Sequence, residues 1–204
     1  MSVSMYSVSI PVFIQHLNGL NTVLDKAASW AAARKVNEAD LLNMRLSPDM
    51  FNLARQVRAA TDHAINATGR LSGKELVKFA NDETTIAQLK DRVAKTIDYL
   101  KSVKQNEIDG TETKDISITF PSGQTRQFTG QSLLLGNSLP NFYFHATTAY
   151  DIIRHRAHCQ PVSSLGLMNT NQGVCHESAT THSVAVGLPD QFDACCNSYA
   201  ITRS

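Results

Sequence analysis

The sequence predicts an all-α protein: a four-helix bundle with a small β-hairpin inserted between the third and fourth helices and an irregular C-terminal tail. Three observations carry this. Four long segments repeat apolar residues at steps of three and four, the spacing of one helical stripe. One short stretch alternates apolar and polar residues and is followed by a turn. After Cys159 neither period can be found, and only Glu177, Asp190, Asp193 and Arg203 are charged. A mixed helix-and-strand α+β layer is the alternative arrangement of the same elements.

The first helix is expected over Ile10 to Arg34, with Phe13, Leu17, Leu20, Leu24, Ala27 and Ala31 on its stripe and Pro11 in its first turn. Asn37 to Asp40 reads as a polar connection, followed by the apolar run Leu41, Leu42, Met44 and Leu46. Ser47-Pro48-Asp49 reads as the start of the second helix: a cap, a preset first residue and a charge suited to the dipole. That helix carries Leu53, Val57, Ala60, Ala64, Ala67 and Leu71, and Gly73 is placed to end it.

Asn81-Asp82-Glu83 is expected to open the third helix, whose stripe is Ile86, Leu89, Val93, Ile97 and Leu100. Lys90, Asp91, Arg92, Lys95, Asp98 and Lys101 fall on its other faces and are expected in water. Asn106 to Thr113 has turn character. Ile116 to Phe120, Pro121-Ser122-Gly123 and Arg126 to Phe128 form the expected hairpin, which needs the bundle's support to be stable. The last helix starts near Gly130, should break or kink at Pro140, and resumes with Phe142, His145, Ala146, Ala149, Ile152 and Ile153.

These elements divide the chain into a helical domain over residues 1–157 and an irregular tail, expected to be disordered, over 158–204. All four cysteines, Cys159, Cys175, Cys195 and Cys196, lie in that tail. They form neither a CxxC pair nor a zinc-ribbon spacing. A formal net charge of +1 demands neither a nucleic-acid nor an anionic-membrane partner. No segment approaches the roughly 18 to 20 apolar residues that span a bilayer. With no recognisable leader and a cysteine-free body, the expected compartment is the cytoplasm. Phosphate loops and nucleophile elbows are absent from the sequence.

Bundles build their sites from polar side chains that face inward. His145 lies within the stripe of the last helix, His63 and Gln56 lie on one flank of the second, and His16 lies on a flank of the first. As neutral imidazoles, three such histidines could converge on Zn²⁺ or Ni²⁺. The alternative for each is the usual one for a lone histidine at a helix flank, a structural ring hydrogen-bonded to a carbonyl, a carboxylate or water with no metal. Asp62 could orient a ring or simply be solvated. Phe142, Tyr143, Phe144 and Tyr150 suit either core and dimer packing or the wall of an apolar substrate pocket, and a small-molecule ligand is the expected partner of such a pocket. Arg45, Arg55, Gln56 and Arg58 could bind an anion near the start of the second helix, or form a solvated face.

Leu46-Ser47-Pro48-Asp49-Met50-Phe51, Arg55-Gln56-Val57, Asp62-His63-Ala64, Asp82-Glu83-Thr84-Thr85 and Leu139-Pro140-Asn141-Phe142-Tyr143-Phe144-His145 together resemble a known family. So does Thr148-Ala149-Tyr150 followed by Ile152 to His155. It is the domain-of-unknown-function family numbered nineteen ninety-three, of the DinB/YfiT-like superfamily of four-helix bundles, described as metalloenzymes. The resemblance covers Tyr6 to His155. It implies a bundle, commonly a homodimer, with a three-histidine divalent-metal site that in some members serves thiol-dependent transferases or isomerases. Carried over residue by residue, the metal would fall to His145 and His63. Gln56 would stand near the second-helix ligand position, and Asp62, Phe142 and Tyr150 would be beside the pocket. The final helix lacks the second histidine of the usual pair, because residue 149 is Ala. The resemblance thus implies a weak or vestigial metal-dependent enzyme, with a non-catalytic ligand-binding or structural dimer as its rival. The ending from Arg156 onward departs from the family and is expected to reflect an aberrant 3′ end.

Overall fold

A computed structural model of the chain describes residues 3–119 and 123–157. The expected tail and its four cysteines lie outside the described residues. The elements run α1 (Ile10–Arg34), α2 (Glu38–Leu42), α3 (Leu53–Ser72), α4 (Ile86–Lys101), β1 (Asp115–Thr119), β2 (Thr125–Thr129), α5 (Gly130–Leu133) and α6 (Leu139–Ala157). A 3₁₀ turn spans Gln105–Glu107, and a π-helical turn over Leu134–Ser138 joins α5 to α6. No described helix is long and apolar enough to cross a membrane.

The four long helices form the bundle. α3 packs along α6, α6 against α1, α1 against α4 and α4 against α3, so the chain joins diagonal partners twice. Every residue of the four predicted stripes is buried. The ring contact between Phe13 of α1 and Phe142 of α6, edge to face at 4.9 Å, lies in this core.

The helix starts differ from the expectation for local reasons. Ser47 to Met50 forms a turn, with Met50 N–H donating to the Ser47 carbonyl, and α3 begins only at Leu53. Its cap is Asn52, whose side chain accepts from Arg55 N–H. Asn37 likewise caps α2, so the polar connection is itself a helical turn. Asn81 has φ of 62°, a left-handed conformation no helix continues through. α4 starts instead at a capping box between Thr85 and Gln88. Gly73 ends α3 as expected, with φ of 78° and its N–H on the Gly69 carbonyl.

The hairpin pairs Ile116 with Phe128 in antiparallel register, and both lean on the helical core. Lys114, just before it, donates to the carbonyls of Arg70 and Leu71, tying the hairpin to the C-terminus of α3. The irregularity expected at Pro140 falls just before it. The π turn places Leu139 N–H on the Leu134 carbonyl, leaving Pro140 in the first turn of α6, where its missing N–H costs nothing.

One residue reverses its expected place. Arg92, whose charge predicts a solvated face of α4, is 1% exposed. Its Nε donates to Thr61 Oγ1 at 2.7 Å, one terminal nitrogen to Asn81 Oδ1 at 2.7 Å and Glu83 Oε1 at 2.8 Å, and the other to Asp62 Oδ1 at 2.5 Å. Phe79 covers the guanidinium at 4.3 Å from its ring centre. The buried cation is affordable because four acceptors and an aromatic face replace its water. These contacts fasten the segment between α3 and α4 to both helices.

Candidate functional site

An open groove of about 910 Å³ runs along α3, lined by Phe51, Arg55, Arg58, Ala59, Asp62, His63, Asn66, Asn81 and His145. A smaller cavity of about 360 Å³ adjoins it, lined by Asp49, Met50, Phe51, Gln56, Phe144 and His145. His145 and Phe51 belong to both. The helical spacing of Arg55, Arg58, Asp62 and Asn66 brings one flank of α3 to the groove, and α6 supplies His145 from the opposite side.

The orientation of His145 follows from the backbone upward. The start of α3 presents the Phe51 carbonyl, which can only accept, so Gln56 turns its Nε2 toward it at 3.2 Å. The Gln56 amide oxygen then faces His145 Nδ1 at 2.7 Å. An amide oxygen also only accepts, so Nδ1 carries the ring proton and Nε2 is the bare nitrogen. Gln56 is 1% exposed and His145 9% exposed, so water does not compete for this relay. No described residue bonds Nε2.

His63 stacks on His145 with ring centres 5.6 Å apart and planes 16° apart. Phe51 also lies nearly parallel to His145, at 5.9 Å and 7°, and Phe144 meets its edge at 5.2 Å. His63 makes no hydrogen bond to a described residue. Burial, reinforced by the neighbouring His145, depresses its pKa from 6.5 to about 4. Burial lowers that of His145 as well. Both imidazoles are therefore neutral at pH 7, and each can offer a lone pair.

The charges around the groove are mostly spent. Arg58 Nε meets Glu83 Oε2 at 2.6 Å, and Arg92 holds Glu83 and Asp62. Burial works against the charge on Glu83, but hydrogen bonds from Arg92, its own backbone and Arg58 outweigh it and hold its pKa below the usual carboxylate value. Asp62 is bound to Arg92 and does not orient a histidine. Arg45 donates to the Pro48 carbonyl. Arg55 lies 3.8 Å over the Phe51 ring and makes no ion pair with a described residue.

The other candidates lie elsewhere. His16 Nδ1 bonds the Val12 carbonyl at 2.9 Å, its ring meets the edges of Phe142 and Tyr143, and its buried Nε2 has no partner among the described residues. Phe142 is fully enclosed in the core, and Tyr150 packs partly buried against it. The structure thus joins His63, His145 and Gln56 and leaves His16 apart. Among the described residues, no three His, Cys, Asp or Glu side chains are grouped to hold a metal ion. The residues present do not fit a three-histidine site: two imidazoles align, and the Gln56 oxygen at the third place is committed to His145. Sequence reasoning missed Phe51 as the ring stacked on His145, and Arg92 as the buried hub. A signal for the second existed, since Arg92 stands three residues after Leu89 and four before the buried Thr96.

Comparisons with known proteins agree with this architecture. No curated protein matches the chain. A solved DinB family member protein from Shewanella denitrificans is 34% identical, with a TM-score of 0.72, over 83% of this chain and 94% of that one. A family described as "Domain of unknown function (DUF1993)" matches residues 5–157. With most of its length covered by that match and its bundle shared with a DinB protein, the chain belongs to the DUF1993 family and has a DinB-like fold.

Proposed function

We propose that this protein binds a small molecule in the groove between α3 and α6, against the face formed by His63 and His145. The observation that carries the reading is the relay from the Phe51 carbonyl through Gln56 to His145. It commits a nearly buried imidazole to one tautomer and leaves its Nε2 as an acceptor beside a 910 Å³ groove. That volume is within the usual range for small-ligand sites. Orienting a ring so closely with buried hydrogen bonds is what recognition of a ligand donor requires.

A weak divalent-metal enzyme of the thiol-dependent transferase kind is the second reading, favoured by the alignment of two neutral imidazoles. Its donor set among the described residues stops at two nitrogens. A homodimer belongs to the first reading, supported by Leu135, Tyr143 and Phe144, which the α5–α6 segment leaves exposed. Sedimentation velocity tests it: a dimer is expected, and a monomer at all concentrations contradicts it.

The binding test is a titration with a mixture of small aromatic acids, amides and alcohols, followed on the side-chain NMR signals of His63 and His145. Binding should move both signals in the wild type and leave the remaining His63 signal unmoved in His145→Phe. Titration to millimolar concentrations without a shift overturns the reading.

A further inference from the structure

The sequence marks four polar residues near the start of α3 as a possible anion site, and the structure reduces them to one. Arg45 is spent on a backbone carbonyl and Gln56 is enclosed on His145. Arg58 is paired with Glu83. The remaining anion of the groove wall, Asp62, is paired with Arg92. These four ionised groups, Arg58, Arg92, Asp62 and Glu83, balance one another. Asp49 lines the adjoining cavity, with its carboxylate accepting from Ser47 Oγ at 2.5 Å. Of the charges lining the groove, Arg55 alone is uncompensated among the described residues. Its guanidinium carbon lies 3.8 Å over the Phe51 ring, and no described residue accepts from its side-chain N–H donors, which are left for a ligand.

Phe51 is also the ring that stacks on His145. The guanidinium and the imidazole therefore stand no further apart than the 3.8 Å and 5.9 Å contacts placed end to end. At one end of this span is a forked cation suited to a carboxylate, and at the other a bare Nε2 that accepts a proton donor. Phe51 and Phe144 supply aromatic faces near it. Building on the small-ligand reading, we infer that the ligand is a small organic monocarboxylate carrying a hydroxyl, its carboxylate on Arg55 and its O–H donating to His145 Nε2. A dianion is disfavoured, since the groove lining provides one uncompensated positive charge and Asp49 of the adjoining cavity carries a negative charge paired with no described cation.

The experiment compares three probes of one shape, 4-hydroxybenzoate, 4-hydroxybenzamide and 4-hydroxybenzylamine. Each is titrated into the full chain and into the Arg55→Gln variant, with the His63 and His145 side-chain signals as readout. Arg55 is exposed, so the variant keeps the fold. The expected result is a roughly tenfold preference for the carboxylate over the amide, weakest binding by the amine, and loss of the preference in Arg55→Gln, chiefly through weaker carboxylate binding. Raising salt should narrow the same gap. Equal affinities for carboxylate and amide in the wild type, or a preference that survives in Arg55→Gln, would overturn the ligand class while leaving the site in place. Absence of a response to all three probes, together with no response to the fragment mixture, overturns the site and the ligand class together.

Discussion

Replacing Arg92 with methionine probes the device that holds the groove wall together. Methionine keeps most of the packing volume, so the loss is chiefly polar. Thr61, Asn81, Glu83 and Asp62 each lose a hydrogen bond from a side chain that is 1% exposed. Breaking a buried pair by removing one partner costs roughly 3–5 kcal/mol. Two features lower that figure. The Asp62 side chain is 46% exposed and can turn to water, and Glu83 keeps Arg58. The expected loss is therefore about 3 kcal/mol, a large share of the roughly 5–15 kcal/mol that stabilises a typical domain. With a urea slope of about 2 kcal/mol/M, the unfolding midpoint should fall by about 1.5 M. Arg92→Lys should fall by nearly as much, because one ammonium with three donors cannot serve four acceptors placed around a planar fork. Amide exchange should also quicken from Gly73 to Thr85, the segment that the guanidinium fastens. A midpoint shift below about 0.3 M in both variants would refute the view that this buried cation anchors the wall.

Other outcomes follow from the same geometry. Gln56→Leu strands the His145 Nδ1 proton and the Phe51 carbonyl, and should cost about 2 kcal/mol in urea denaturation while mixing the His145 tautomers; unchanged stability and tautomer would contradict the relay. His63 has its folded pKa depressed from 6.5 to about 4, so the unfolded chain takes up a proton that the folded one refuses between those values. Its contribution is thus complete above pH 6.5 and is lost as pH falls toward 4, on the order of 2 kcal/mol after allowance for its partial exposure. His63→Gln should flatten that part of the stability profile, and an identical slope in the variant would remove His63 as its source. A Cβ at Gly130 would collide with the Thr111 carbonyl oxygen, so Gly130→Ala should lower stability by about 2 kcal/mol or more; a neutral melt would show that the hairpin junction yields freely.

The bundle was legible because its stripes are long and apolar: Phe13 to Ala31, Leu53 to Leu71, Ile86 to Leu100 and Phe142 to Ile153 are buried as their spacing implies. The hairpin was legible from the alternation of Ile116, Ile118 and Phe128 around a glycine turn. What periodicity hides is a polar residue that tertiary contacts draw inward. Arg92 is four residues from Thr96 and fits the stripe, yet its charge marks it as solvent-facing until Thr61, Asn81, Glu83 and Asp62 converge on it from other segments. Asn81 shows the same limit, since an acidic, polar run suggests a helix start but the residue turns left-handed to reach Arg92. Within the candidate site, helical spacing does place His63, Gln56 and His145 toward the bundle. It does not reveal which of them touch, nor that Phe51 stacks on the imidazole, because those contacts depend on how α3 and α6 pack.

The most direct test of the account is a long-range ¹H–¹⁵N correlation spectrum of the histidine side chains, followed from pH 8 to pH 4. His145 should show a protonated Nδ1 and a bare Nε2 at pH 7, and His63 should stay neutral until the pH nears 4. A proton on His145 Nε2 at pH 7, or a His63 that titrates at its ordinary 6.5, would contradict it.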